Sequence, residues 1–141
     1  MRESSYSDAI RLKYPEAITL AVSWDKENSR ADIITLGWAM CTSGKPPMLA
    51  ISVGLPRHSY KTISENKEFV VVFPSEQQKE AALFCGNVSG RDHDKFKESG
   101  LVPLPSKIVK PPLIKDACAN FECKLVSTLI TGDHAIFAGE V

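Results

Sequence analysis

A chain of 141 residues, 43% of them hydrophobic, can bury one real core and is short for two ordinary domains. Its 17 Lys and Arg balance 17 Asp and Glu, which excludes a global field that would recruit nucleic acid or an anionic membrane; any anion must be held locally. No apolar run approaches the roughly 20 residues of a membrane helix, no basic-then-apolar leader opens the chain, and Cys41, Cys85, Cys118 and Cys123 form no Cys-x-x-Cys pair, so the expectation is a soluble, cytoplasmic protein with reduced cysteines and no metal site.

Residues 1–15 are polar and lack apolar periodicity, which predicts a loose arm or a short helix ending at Tyr14-Pro15. From Glu16 to Ser23, Ile18, Leu20 and Val22 alternate with Ala17, Thr19 and Ala21, a half-buried strand. The charged turn Trp24–Ser29 returns the chain into a second strand. There Asp32, Ile34, Leu36 and Trp38 share a bulky face, and Ala31, Ile33, Thr35 and Gly37 a mostly small one. Cys41–Pro47 reads as a loop, because Gly44 punctuates it and Pro46 and Pro47 lack ladder donors. The next strand repeats the arrangement, with Leu49, Ile51, Val53 and Leu55 opposite Met48, Ala50, Ser52 and Gly54.

Pro56 breaks that strand into Arg57-His58-Ser59-Tyr60-Lys61-Thr62, with Ser59 expected to cap a helix that turns Tyr60 and Ile63 inward and ends near Asn66-Lys67. Glu68–Phe73 is a continuous β-rich run, a buried central strand. Ser75 and Gln78 form a capping box for a helix whose exit is assigned to Gly86 and Gly90 at positive φ. Asp92 opens a short helix closed by Gly100, and Leu101–Pro112 is a proline-punctuated connection. Asn120–Ile130 alternates strictly and pairs across Thr131-Gly132-Asp133 with His134–Val141. About six strands and two or three short helices without βαβ alternation predict a mainly antiparallel sheet closed into a barrel. Glu140-Val141 ends within a strand pattern, so either the chain is truncated there or a partner covers the edge.

Two strands with small, hydroxyl-dotted faces beside a cationic helix start suit a planar ligand ending in a phosphate; a tightly packed sheet is the plainer alternative. No Ser-His-Asp or paired-carboxylate constellation is present. The motifs Asp32-x-x-Thr35, Gly37-Trp38, Lys45-Pro46-Pro47, Arg57-x-Ser59-Tyr60, Phe69-Val70-Val71-Val72, Asp94-Lys95-Phe96, Phe121-Glu122-Cys123 and Gly132-Asp133-His134 together resemble the flavin reductase-like family, which includes the flavoredoxins. The resemblance runs from about Ala17 to Val141 and implies an FMN-binding antiparallel split β-barrel with two or three peripheral helices over residues 16–141, preceded by the arm 1–15.

It further implies a homodimer that binds FMN, or FAD, and uses NAD(P)H as co-substrate, with a redox partner protein as a further candidate. Asp32, Ile33, Thr35 and Gly37 would lie along the ring or ribityl chain. Ser52, Arg57, Ser59, Tyr60 and Lys61 would serve the ribityl hydroxyls and the phosphate, Arg91 would be a second anion clamp, and His134 the catalytic residue beside the nicotinamide. The family usually carries Asn where this chain has Asp32. Two alternatives stand beside the reductase: an electron carrier without a pyridine-nucleotide site, and a flavin- or haem-binding module.

Overall fold

In the computed structural model, which describes residues 3–141, the expected arm carries a short helix α1 (Tyr6–Ile10) and a 3-10 turn over Arg11–Lys13. The Ser5 hydroxyl caps α1 by accepting the Asp8 N–H, and no residue of either turn is buried. The arm's first two residues lie outside the described ones.

Strand β1 (Thr19–Asp25) starts three residues later than Glu16 and forms a hairpin with β2 (Arg30–Leu36), Thr19 opposite Leu36. A second hairpin joins β3 (Ala39–Gly44) to β4 (Pro47–Gly54). Cys41–Gly44 is therefore strand rather than loop. β3 is an edge strand whose residues are mostly exposed, with a register shift between Cys41 and Ser43, so the ladder to β4 holds it despite its loop-like composition. Helix α2 (His58–Asn66) closes at Lys67 in the left-handed conformation, and β5 (Glu68–Phe73) follows. A 3-10 turn at Glu76–Gln78 leads into α3 (Lys79–Asn87), with the Gln78 side chain accepting the Ser75 N–H at 3.0 Å.

Helix α4 (Lys95–Ser99) starts later than Asp92. Its cap is Asp94, whose carboxylate accepts the Lys97 N–H, and Gly100 ends it at φ 75°. The proline-rich connection contains a small ribbon of β6 (Pro103–Leu104) and β7 (Leu113–Ile114). The long hairpin of β8 (Ala119–Thr131) and β9 (His134–Glu140) closes the chain as expected.

The seven longer strands make one antiparallel sheet in the order β2-β1-β5-β8-β9-β4-β3. Its two edges, β2 and β3, are consecutive in the chain and joined only by Gly37-Trp38. Three Cα–Cα steps span at most about 11 Å, so the edges meet and the sheet must curl. The result is the expected split barrel, in which the Ser52 N–H bonding to the Trp38 carbonyl at 2.9 Å carries the β3–β4 ladder one residue toward the seam.

Inward residues of six strands, among them Ile34, Leu36, Ile51, Val53, Phe69, Val71, Cys123 and Phe137, fill the barrel. A second core lies outside it, where Leu20, Val22, Ala31, Ile33, Val70 and Val72 are covered by Ala82 and Cys85 of α3 together with Leu101, Val109 and Ile114. β5 is thus buried on both faces, which is why it reads as a continuous apolar run. The small face of β2 is correspondingly no open shelf: α3 packs on it, with the Thr35 hydroxyl donating to the Ala82 carbonyl at 2.6 Å.

Candidate functional site

Where β4 leaves the sheet at Gly54, the chain bends through Pro56, its Arg57 N–H bonding back to the Gly54 carbonyl at 3.0 Å. Arg57 stands as the N-cap residue of α2 in extended conformation, its carbonyl accepting the Tyr60 N–H at 3.1 Å, and no side chain caps the helix, so the His58 and Ser59 N–H groups lie uncapped at the rim of a cleft of about 1040 Å³. The cleft runs between the β2 side of the seam, the 14–18 stretch before β1, the start of α2, the last turn of α3 with residues 88–91 after it, and the Asp133-His134 turn.

Gly54 keeps its floor open: a Cβ there would stand 3.5 Å from Arg57 Cγ and 3.6 Å from His134 Nε2. His134 faces Gly54 in the β4–β9 register, and the Trp38 ring packs on its imidazole with centroids 4.8 Å apart. Trp38, expected on the bulky face of its strand with Ile34 and Leu36, lies at the cleft, 40% exposed.

Of the side chains the sequence nominated, Asp32, Thr35, Gly37, Ser52, Arg57, Ser59, Arg91 and His134 come together around this one cleft. Ile33, Tyr60 and Lys61 do not. Ile33 is buried in the core under α3, and only its carbonyl is used, accepting Lys95 Nζ. Tyr60 packs on Phe137 beside the barrel core, ring centroids 5.9 Å apart. Lys61 is turned to the surface, where Glu27 and Glu65 pair with it. Arg57 and Lys61 are four residues apart, yet they do not share a helical stripe, because Arg57 precedes the helix with extended backbone angles.

Charges are distributed unevenly. The Arg57 guanidinium has no ion-pair partner among the described residues, and Arg91 reaches over to donate to the Pro56 carbonyl at 3.0 Å. Asp32 is buried and accepts the Ser59 hydroxyl at 2.6 Å, so Ser59 is not the helix cap but the partner of this carboxylate. The other oxygen, Asp32 Oδ1, lacks a hydrogen bond and lies 3.4 Å from the buried Lys95 ammonium, which donates to the Cys85 carbonyl at 3.0 Å. The Asp32 carboxylate is thus balanced by a lysine from α4.

Gly86 and Gly90 serve close approach rather than positive φ. A Cβ on Gly86 would be 3.2 Å from Thr35 Cβ, and one on Gly90 would collide with the Asp32 carboxylate, 2.5 Å from its Cγ.

Lys95 and the pair Asp25–His58 escaped the sequence reading. Lys95 reads as a solvated loop charge, and its position directly after the capping Asp94, inside the Asp94-Lys95-Phe96 motif, was the available signal. Asp25 lay in a charged turn, where Asp25-x-x-Asn28 marks an Asx-type loop. Burial works to raise the Asp25 pKa, but the Asn28 side chain, His58 and the Asn28 N–H outweigh it and hold the carboxyl at about 2. At the opposite wall the His134 imidazole lies 2.6 Å from Asp133 and lowers that carboxyl's pKa.

Residues 11–141 match the family described as Flavin reductase like domain. An uncharacterized protein of Archaeoglobus fulgidus is 34% identical over 112 residues, 79% of this chain and 63% of its own length. Flavoredoxin of Desulfovibrio vulgaris (Miyazaki F) superposes with a TM-score of 0.86 at 31% identity, covering 99% of this chain and 73% of that one. A flavin reductase (NADH) of Kitasatospora aureofaciens is 29% identical over 109 residues, 77% of this chain and 54% of its own. The chain therefore spans less than two thirds of the length of both curated relatives. Fold, motif order and family match agree: the chain belongs to the flavin reductase-like family.

Proposed function

We propose that the cleft binds a phosphorylated flavin, FMN in the first place and FAD in the second, and that the protein passes electrons from NAD(P)H through it to an acceptor. The observation that carries this reading is the unpaired Arg57 guanidinium beside the uncapped first turn of α2, above a floor kept open by Gly54. A guanidinium and free N–H groups are the donor set a phosphate requires. The volume is at the upper end of the roughly 300–1,000 Å³ typical of small-molecule sites. Ser52 and the open glycine positions fit a ribityl chain and a flat ring, and Arg91 fits a second anion contact.

When bound, the flavin supplies the hydride chemistry, so the chain need only bind, orient and shield it. Accordingly the cleft needs no nucleophile. His134, held by Asp133 and stacked by Trp38, is assigned to the nicotinamide side as an orienting hydrogen-bond group. The name of the Kitasatospora relative supports NADH as donor.

Assembly as a homodimer is part of the same reading, supported by the outer half of β8, where Val126, Leu129 and Ile130 are all more than half exposed. A cytoplasmic location goes with it. No described helix is long and apolar enough to cross a membrane.

The similarity to flavoredoxin favours a second reading, an electron carrier that receives electrons from a redox partner protein and has no pyridine-nucleotide site. Anaerobic mixing with FMN and NADH or NADPH separates the two. Bleaching of the visible flavin band within seconds supports the reductase, tight FMN binding without bleaching supports the carrier, and absence of flavin binding refutes both.

A further inference from the structure

Asp25 and His58 form a buried pair at the edge of the cleft. His58 Nε2 lies 2.9 Å from Asp25 Oδ2, with the two side chains only 7% and 3% exposed. The Asn28 amide also donates to Asp25 at 2.7 Å, and the N–H groups of Glu27 and Asn28 at 3.0 and 3.2 Å. A carboxylate met by this many donors stays ionised and can only accept. His58 Nε2 therefore carries its hydrogen whether the ring is charged or neutral, and protonation is decided at Nδ1 alone. Nδ1 has no hydrogen-bond partner among the described residues, so it is the ring nitrogen free to meet a ligand in the cleft that His58 lines. The ring's other edge is held close: Cδ2 lies 3.1 Å from where a Cβ on Gly90 would stand.

We propose that His58, aligned by Asp25, is the pH-dependent member of the anion site at the start of α2, and that it sets the preference for a phosphorylated ligand over its dephosphorylated form. As imidazolium it donates Nδ1–H to a phosphate oxygen beside Arg57. As neutral imidazole it turns a lone pair toward that oxygen, so a donor becomes a repelling acceptor. The proposal rests on the phosphorylated-flavin reading and adds to it the residue that discriminates by charge.

The charged groups around the ring are Asp25 on β1; Arg30 on β2, opposite Asp25 and donating to the Gly90 carbonyl at 2.7 Å; Asp32 on β2, across Gly90 and balanced by Lys95 of α4; Arg57 at the start of α2; and Arg91 in the 88–91 segment. Lys61 and Glu27 pair with each other on the solvent side of Asp25. Among these side-chain types, imidazole is the one that titrates between about pH 5 and 8. His134 is the cleft's other imidazole and needs its own control.

The sign of the effect is diagnostic. A phosphate monoester gains its second charge near pH 6, so attraction to Arg57 alone would strengthen as pH rises. His58 predicts the reverse.

FMN and riboflavin, which share the ring system and differ by the phosphate, are titrated by flavin fluorescence between about pH 5.5 and 8. In the wild type the ratio of FMN to riboflavin affinity is expected to fall by on the order of tenfold across that range, the size of one charge-assisted hydrogen bond. In H58Q it is expected to stay level or rise. D25N, which removes the carboxylate that fixes the ring's orientation, is expected to flatten the fall and serves as the second variant should H58Q not fold. A wild-type ratio that is flat or rises overturns the proposal, as does a fall that persists in H58Q or that disappears in H134Q while surviving in H58Q. Equal, pH-independent affinity of the wild type for both flavins defeats the role of His58 while leaving flavin binding intact. Failure to bind either flavin defeats the flavin reading as well.

Discussion

Arg57 and Lys61 differ at the level of single side chains although they sit four residues apart. Arg57 leaves the strand with extended backbone and keeps its guanidinium unpaired at the cleft, while Lys61 is exposed and engaged with Glu27 and Glu65. Arg57→Ala is expected to weaken FMN binding by at least about tenfold, since a charge-assisted bond to phosphate is lost. Lys61→Ala should change it by less than about twofold, as exposed pairs contribute little. Parallel fluorescence titrations decide the ranking. Asp25 carries a stability consequence. Its carboxyl titrates near 2 in the folded chain against an ordinary 3.8, so its contribution is fully present above about pH 4 and is lost as pH falls through 2. Asp25→Asn should therefore cost about 2 kcal/mol at pH 7, and the gap from the wild type should close progressively between pH 4 and pH 2, as read from urea unfolding.

Elements meet at the cleft through glycines and buried polar links rather than through regular packing alone. The 88–91 segment lies so close to β2 that a Cβ on Gly90 collides with Asp32, and that carboxylate cannot swing away because Ser59 and Lys95 hold it. Gly90→Ala should destabilise by about 1–3 kcal/mol, the range of overpacked interiors, and lower flavin affinity with it. Gly37→Ala is a contrasting control: the group met there is the far end of the Glu16 side chain, which can move, so thermal unfolding should shift little. The proline-rich connection is fixed by a comparable long-range link. Glu122 of β8 accepts the N–H groups of Lys107, Ile108 and Val109 at 2.7–3.1 Å, and although burial works to raise its pKa, these bonds leave it below the ordinary glutamate value. Nothing in the Leu101–Pro112 segment itself signals that partner, because it lies more than ten residues away.

For the molecule as a whole, the sheet order decides what is buried. β1, β2 and β5 are covered inside by the barrel core and outside by α3 and the 101–114 segment, whereas the far half of β8 leaves Val126, Leu129 and Ile130 exposed, with Leu129 on the outer face and Ile130 on the core-side face opposite Ala135. If a second copy covers that face, Leu129→Lys should shift sedimentation velocity from dimer toward monomer without loss of the folded circular dichroism spectrum. An unchanged sedimentation coefficient would place the interface elsewhere or remove it.

Local sequence determined most of the elements, because strand periodicity, the Ser75–Gln78 capping box and the Gly132 turn are encoded within a few residues. Its resemblance to the flavin reductase-like family placed Ser52, Asp32 and His134 among the candidates, and the cationic, hydroxyl-bearing segment after Pro56 pointed to Arg57 by its own chemistry. Tertiary structure alone decided that Cys41–Gly44 is an edge strand, that α3 covers the small face of β2, and that Lys95 and Asp32 neutralise each other in the interior. It alone turned Ile33, Tyr60 and Lys61 away from the cleft. The reason is one of range: hydrogen-bond ladders, face coverage and charge pairing couple residues tens of positions apart, and which face of a strand stays open depends on where distant helices dock.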